Sequence, residues 1–294
     1  MEVFRKKNGW FALMILVLCS GLLWGAAPLL AGSETKEEKE EKKPVFPYDD
    51  YAYVLDRYVD NRGRVNYKSL KRDRRRLDAF VRSLGRLSRN EYNEWPKDAK
   101  IAFLINAYNA LTMRVIIDNY PIEAGFFGSW RYPENSIRQI DDVFDGIYFR
   151  VMGKRMTLDD IEHETLRKKF NEPRIHVALV CAAESCPTLR TEPFVGHKLD
   201  KQLKEQSEDF VRWSDNFRVR RSEDTVYISS IFKWFGEDFI KKYGTRARFQ
   251  GHSAKIRAVL NYLSKHVTKP QRSYMLSADY SVEYLDYDWS LNEQ

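Results

Sequence analysis

Leu77, Phe80, Val81, Leu84 and Leu87 recur at three- and four-residue intervals among charged neighbours, which predicts an amphipathic helix over residues 73–87. The next segment, 97–118, is apolar almost all round and follows Pro96, a residue suited to opening a helix. A helix without a polar face belongs in the middle of a domain. Beyond Tyr120-Pro121 and a stretch rich in Gly, Pro and Asp, residues 148–152 and 155–156 flank Gly153-Lys154 as the arms of a hairpin. Thr157 followed by Asp160 resembles a capping box and starts a helix that should reach about Lys169. The unbroken apolar run 175–180 reads as a buried strand. Further on, the pattern predicts a helix over 198–212, a second hairpin around 222–224, a short helix near Trp234, and a helix over 254–266 stopped before Pro270. The weakly alternating tail 282–290 would add an edge strand. Helices and strands mixed without regular alternation point to an α+β fold: a single compact, helix-rich domain with a small mixed sheet.

The N-terminus departs from this picture. Arg5, Lys6 and Lys7 precede an apolar run over residues 10–31, the pattern of an export signal. At about 20 residues the run is long enough to span a bilayer, while small residues near Ala27 and Ala31 offer cleavage points. Residues 1–31 are therefore expected to be a signal peptide or an N-terminal membrane anchor. The membrane is then a partner if the leader is kept, and the domain lies in the periplasm or on another extracytoplasmic face. Cys19, preceded by Leu18, lacks the context of a lipid-attachment site. Residues 32–47 are dominated by Glu and Lys with prolines at their end, a composition too polar to fold, and are expected to be a disordered linker. Residues 48–294 form the single domain, and at 43% hydrophobic overall the chain can supply it with a sizeable core. The net charge of +7 is scattered, and the basic block 71–76 reads as a solvated helix face, so nucleic acid is not an expected partner.

Candidate chemistry lies where polar groups interrupt apolar runs. Asn106 and Asn109 are three apart on the greasy helix, and a buried amide left unpaired costs about 1–3 kcal/mol. They either clamp neighbouring backbone or orient a catalytic group. Glu162 shares an inward row with Leu158 and Leu166, while His163 lies beside Asp159 and Arg167. An inward carboxylate forms an ion pair with a core arginine, holds a histidine, or moves a proton. The third group is His176, Cys181 and Cys186, whose two thiols are the only ones beyond the leader. Cys186 precedes Pro187, which could open a short helix and leave Cys186 at its cap, where thiolate is favoured. Several readings stay open for the pair. One is a plain disulfide worth about 2 kcal/mol. Another is a nucleophile assisted by His176 or His163. A zinc site matches no common spacing, and thiol exchange would ordinarily use Cys-x-x-Cys. No cofactor or metal is expected. His197, His252 and His266 stand in polar surroundings and read as surface residues.

Taken together, the blocks AFLINAYNALT (102–112), SIRQI (136–140), TLDDIEHETLR (157–167), RIHVALVCAAESCP (174–187), SIFKWF (230–235) and YDWSLN (287–292) resemble, in order, the family of the domain of unknown function numbered 547, found in bacteria and plants. The resemblance spans most of residues 49–292 and implies one domain. It singles out the same polar residues and brings no mechanism with it. Plant members join the domain to a coiled-coil segment, whereas here a leader and a charged linker occupy that end. The leading expectation is an exported hydrolase or acyl transferase with Cys186 as nucleophile, His163 or His176 as base and Asn109 as orienting or oxyanion residue, acting on a small molecule or peptide. The alternative is a non-catalytic envelope module for binding or scaffolding, with a structural Cys181–Cys186 bridge.

Overall fold

In α1 (Asp49–Tyr58) the residues Tyr51, Val54, Leu55 and Tyr58 form one buried stripe, and Tyr51 stacks on Phe80 at 4.7 Å. The structure is a computed structural model that describes residues 45–123 and 131–294. The expected leader and residues 32–44 of the expected linker lie outside that range. The short α2 (Tyr67–Arg72) leads to α3 (Arg75–Arg86), which carries Phe80 and buries Leu77 and Leu84, as its periodicity demands. After α4 (Arg89–Glu94), capped by Ser88, comes α5 (Lys97–Asn119), buried on nearly every face. Its length and composition would suit a membrane span, but it is the central helix of the domain.

The first hairpin, β1 (Phe149–Val151) and β2 (Lys154–Met156), turns through Met152 and Gly153, both at positive φ (49° and 72°). It lies against the end of α3, where the Met152 amide donates to the Leu84 carbonyl at 2.8 Å. A second body of the fold follows α6 (Leu199–Phe210). There β3 (Phe217–Arg220) pairs antiparallel with β4 (Thr225–Ile228), and β4 pairs parallel with β5 (Ser281–Tyr284), giving the small mixed sheet. The sheet packs with α7 (Ile231–Phe235), α8 (Ile240–Tyr243) and α9 (Ala254–Leu263) around Phe210, Phe232, Phe239 and Tyr262. The fold is α+β and helix-rich.

Three local expectations fail. Residues 175–180 do not form a strand: Pro173–Val177 winds as a 3-10 turn, with Pro173 in its first positions and Glu172 capping the Arg174 amide. Asn109 then binds the Ala178 carbonyl and the Val180 amide, the groups a neighbouring strand would have used. No helix opens at Pro187, so Cys186 is not a helix cap. The helix expected over 254–266 is α9, which stops before Pro270 as expected; Pro270 itself sits in the first turn of α10 (Lys269–Ser277), behind a Thr268/Gln271 capping box. Of the three histidines expected at the surface, His252 and His266 are half-buried and His197 is exposed.

The C-terminal tail leaves β5 and returns to the first body. The Asn292 amide donates to the Ala182 carbonyl (3.1 Å), and the Glu184 amide to the Ser290 carbonyl (2.8 Å). This return sets Tyr287 and Trp289 beside the cysteine loop, and with it one wall of the site.

Candidate acid–base site

Thr157 and Asp160 cap each other, the Thr157 amide donating to Oδ2 at 2.9 Å and the Asp160 amide to Oγ1 at 3.0 Å. The helix they start runs to Lys169, as the sequence predicts, but Asp160–Arg167 is wound as a π-helix. Such wide turns are uncommon and concentrate at functional sites. Asp159, Glu162 and His163, three and four residues apart, share the face that lines a cavity of about 580 Å³.

Opposite them stands His176, buried and stacked on Phe235 with centroids 4.3 Å apart and planes 8° from parallel. Its Nε2 lies 2.7 Å from Oδ2 of Asp238, and its Nδ1 lies 3.7 Å from Oε1 of Glu162. Arg167 grips Asp238 with both arms of its guanidinium, Nε to Oδ2 at 2.6 Å and Nη2 to Oδ1 at 3.0 Å, and covers the Phe235 ring at 5.0 Å. Its Nη1 also donates to Nδ1 of His163 at 3.2 Å.

These contacts set the protonation states. Burial pushes the Glu162 carboxyl up to about 7, against the pull of Arg167 and the Tyr108 hydroxyl. Burial lowers His176, more than Asp238 can restore, so the ring is neutral at pH 7. A neutral ring facing a carboxylate at Nε2 carries its hydrogen there, which leaves the Nδ1 lone pair facing Glu162. Asp238 would be raised by burial, but the hydrogen bonds from His176 and Arg167 reverse this and hold it well below the usual carboxylate range. His163 is lowered by burial and Asp159 raised by it.

The cavity is also lined by aromatic rings. Tyr287 packs on Trp234 (4.9 Å) and on Trp289 (4.7 Å), and Arg138 lies over Trp289 at 4.6 Å with Phe144 and Tyr132 nearby. Cys181 lines the same space and is disulfide-bonded to Cys186, with Cα atoms 6.3 Å apart. Cys186 itself is 6% exposed and is not part of that lining. The two asparagines are elsewhere. Asn106 donates to the Phe194 carbonyl (2.7 Å) and accepts from the Phe194 amide (2.9 Å). Asn109 does the same with the Ala178 carbonyl (3.0 Å) and the Val180 amide (2.9 Å). Their amides brace loops and do not face the cavity.

Residues 92–211 match the family model described as "Protein of unknown function, DUF547". Over these residues the chain is similar to the DUF547 family. No curated protein and no solved structure matches it. The DUF547 match runs from α4 to the end of α6 and includes Glu162, His163, His176 and both bridged cysteines. Asp238, Trp234, Tyr287 and Trp289 lie beyond it, in the region where the sequence resemblance continues through the SIFKWF and YDWSLN blocks.

Of the residues singled out from sequence, the structure brings together Glu162, His163, His176 and Cys181. It sets Cys186 behind Cys181 and leaves Asn106 and Asn109 apart. Sequence reasoning missed Asp238, which sits in Gly-Glu-Asp-Phe with no pattern to distinguish it. Tyr108 could have been found as a third polar group on the apolar helix, and Tyr287 and Trp289 from the block that carries them.

Proposed function

We propose that this protein is a hydrolase that works by general acid–base catalysis in the aromatic-lined cavity, with Glu162 as the proton-transferring group. The observation that carries this is the buried Glu162 carboxyl, raised to about 7 where it lines the cavity. A group that both gives and accepts a proton at neutral pH is what hydrolysis requires, for water attack and for leaving-group protonation alike. His176 is a positioning residue. Asp238, Arg167 and Phe235 fix its ring, and its free Nδ1 lies within about 1 Å of hydrogen-bond range of Glu162. The substrate is a small polar molecule or a peptide end resting on Trp234 and Trp289, with Arg138 near an anionic group.

The thiol-nucleophile mechanism is not carried forward, because the Cys186 sulfur is bonded to Cys181. That bond and the backbone-bound asparagines favour one other reading, a module that binds its ligand in the same cavity without turnover. The basic-then-apolar leader and a paired thiol in the domain support a location outside the cytoplasm. Protease accessibility of a C-terminal epitope in intact and opened cells tests that location.

The function is tested by screening chromogenic esters, amides and glycosides, then recording the pH–rate profile of the best substrate. Wild type should titrate with a midpoint near 7, and Glu162→Gln should lose at least about 100-fold in kcat. Full activity in Glu162→Gln would sink the assignment. A ligand that raises Tm yet is never turned over favours the binding reading.

A further inference from the structure

Three hydrogen-bond donors converge on the sulfur of Cys186: the Cys181 amide at 3.1 Å, the Ala183 amide at 3.4 Å and the Tyr287 hydroxyl at 3.2 Å. Ala182, between the two amides, has φ 60°, a conformation that turns successive N–H groups into one concavity suited to an anion. Tyr287 is half-buried, and the desolvation of its hydroxyl keeps the phenol protonated and able to donate. A sulfur within a disulfide is a weak acceptor, so these donors contribute little to the bonded state. They contribute far more to a thiolate, because hydrogen bonds to a charged acceptor are about twice as strong.

The two sulfurs are also unequal in access. Cys181 is half-buried and lines the aromatic cavity, whereas Cys186 is buried behind it. Nor does the loop depend on the bridge for its shape. Asn109 holds its start through Ala178 and Val180, and the tail holds its middle through Ala182, Glu184 and Ser185. A bond that closes so short a loop constrains the unfolded chain less than one that closes a long loop.

We propose that Cys181–Cys186 is a thiol–disulfide exchange site whose substrate is a thiol entering through the aromatic cavity. A substrate thiolate attacks Sγ of Cys181, and a new sulfur–sulfur bond forms. The Cys181–Cys186 bond breaks, and its electron pair leaves on Cys186 as a thiolate held by the three donors. A second substrate thiolate then attacks the substrate sulfur of the mixed disulfide and releases Cys181. Two thiols have become one disulfide, and the cysteine pair has gained the two electrons. This chemistry uses no atom of Glu162 and stands or falls apart from the hydrolase reading.

The test equilibrates the full chain in buffers of reduced and oxidised glutathione, quenches with acid, alkylates, and maps the cysteines by mass spectrometry. The bridge should be half-reduced within the span those buffers cover. The pre-reduced Cys186→Ala variant, given oxidised glutathione, should carry the adduct on Cys181. Tyr287→Phe should lower the equilibrium constant for reduction about tenfold, equivalent to ~30 mV. A bridge still intact in excess reduced glutathione, or an unchanged constant in Tyr287→Phe, overturns the proposal. Should Cys186→Ala fail to fold, the wild-type titration and Tyr287→Phe decide alone.

Discussion

His176 turns Nδ1 toward Oε1 of Glu162 at 3.7 Å and cannot turn away, because its other nitrogen is tied to Asp238 and its face lies flat on Phe235. An imidazole fixed at both edge and face is a better-defined partner for a proton than one free to rotate. The arrangement also sets a protonation cost that can be measured.

The folded protein favours the protonated form of Glu162, whose midpoint rises from 4.5 to about 7. Its contribution to stability is therefore complete below pH 4.5 and is lost as pH climbs through 7. Glu162→Gln removes that loss. At pH 8 the variant should be more stable than wild type by up to about 3 kcal/mol, and at pH 4 the two should coincide. Urea midpoints across this range check it, and a difference that does not depend on pH would contradict the burial argument.

Asp238→Asn keeps the shape of the side chain and removes the charge that both Arg167 and His176 rely on. Loss of these charge-assisted bonds should cost about 1–3 kcal/mol in chemical denaturation. The same variant should lower the His176 titration further, since Asp238 is what opposes its burial. Imidazole NMR shifts would report this directly.

Asn109→Ala leaves the buried Val180 amide and Ala178 carbonyl without partners. The expected loss is about 2–4 kcal/mol, from two groups at roughly 1–2 kcal/mol each. Asn106→Ala should behave alike through Phe194. If activity falls in these variants, it should fall in proportion to the folded fraction seen by circular dichroism. An inactive but fully stable Asn109→Ala would restore a catalytic role.

Gly196 lets a loop touch the central helix. A Cβ there would stand 2.7 Å from Cα and 2.8 Å from N of Ala99, both rigid backbone atoms of α5. Gly196→Ala should cost about 1–3 kcal/mol through overpacking. Gly153→Ala meets no atom within 4 Å but must hold φ 72°, so its cost is conformational and nearer about 1 kcal/mol. Comparing the two Tm values separates contact from backbone strain.

The amphipathic and fully apolar helices were readable because the 3.6-residue period of Leu77, Phe80 and Leu84, or its absence across α5, states which faces are buried. The run at 175–180 was not readable in this way. A segment buried on all sides shows no period, and its conformation was settled by Pro173, Glu172 and the reach of Asn109 from sixty-nine positions away.

Polar residues set into apolar runs drew out Glu162, His163 and His176, which line one cavity, and residue order alone carried the hairpins, the Thr157–Asp160 cap and the α+β class. Assembly of the cluster followed from packing. Asp238 meets His176 across sixty-two residues, and Tyr287 meets Cys186 across one hundred and one, through contacts that no local periodicity encodes. The same is true of the charge on each group: whether Glu162 holds its proton at neutral pH depends on how much water the folded chain excludes from it, a property of the enclosing shape and not of the letters beside it.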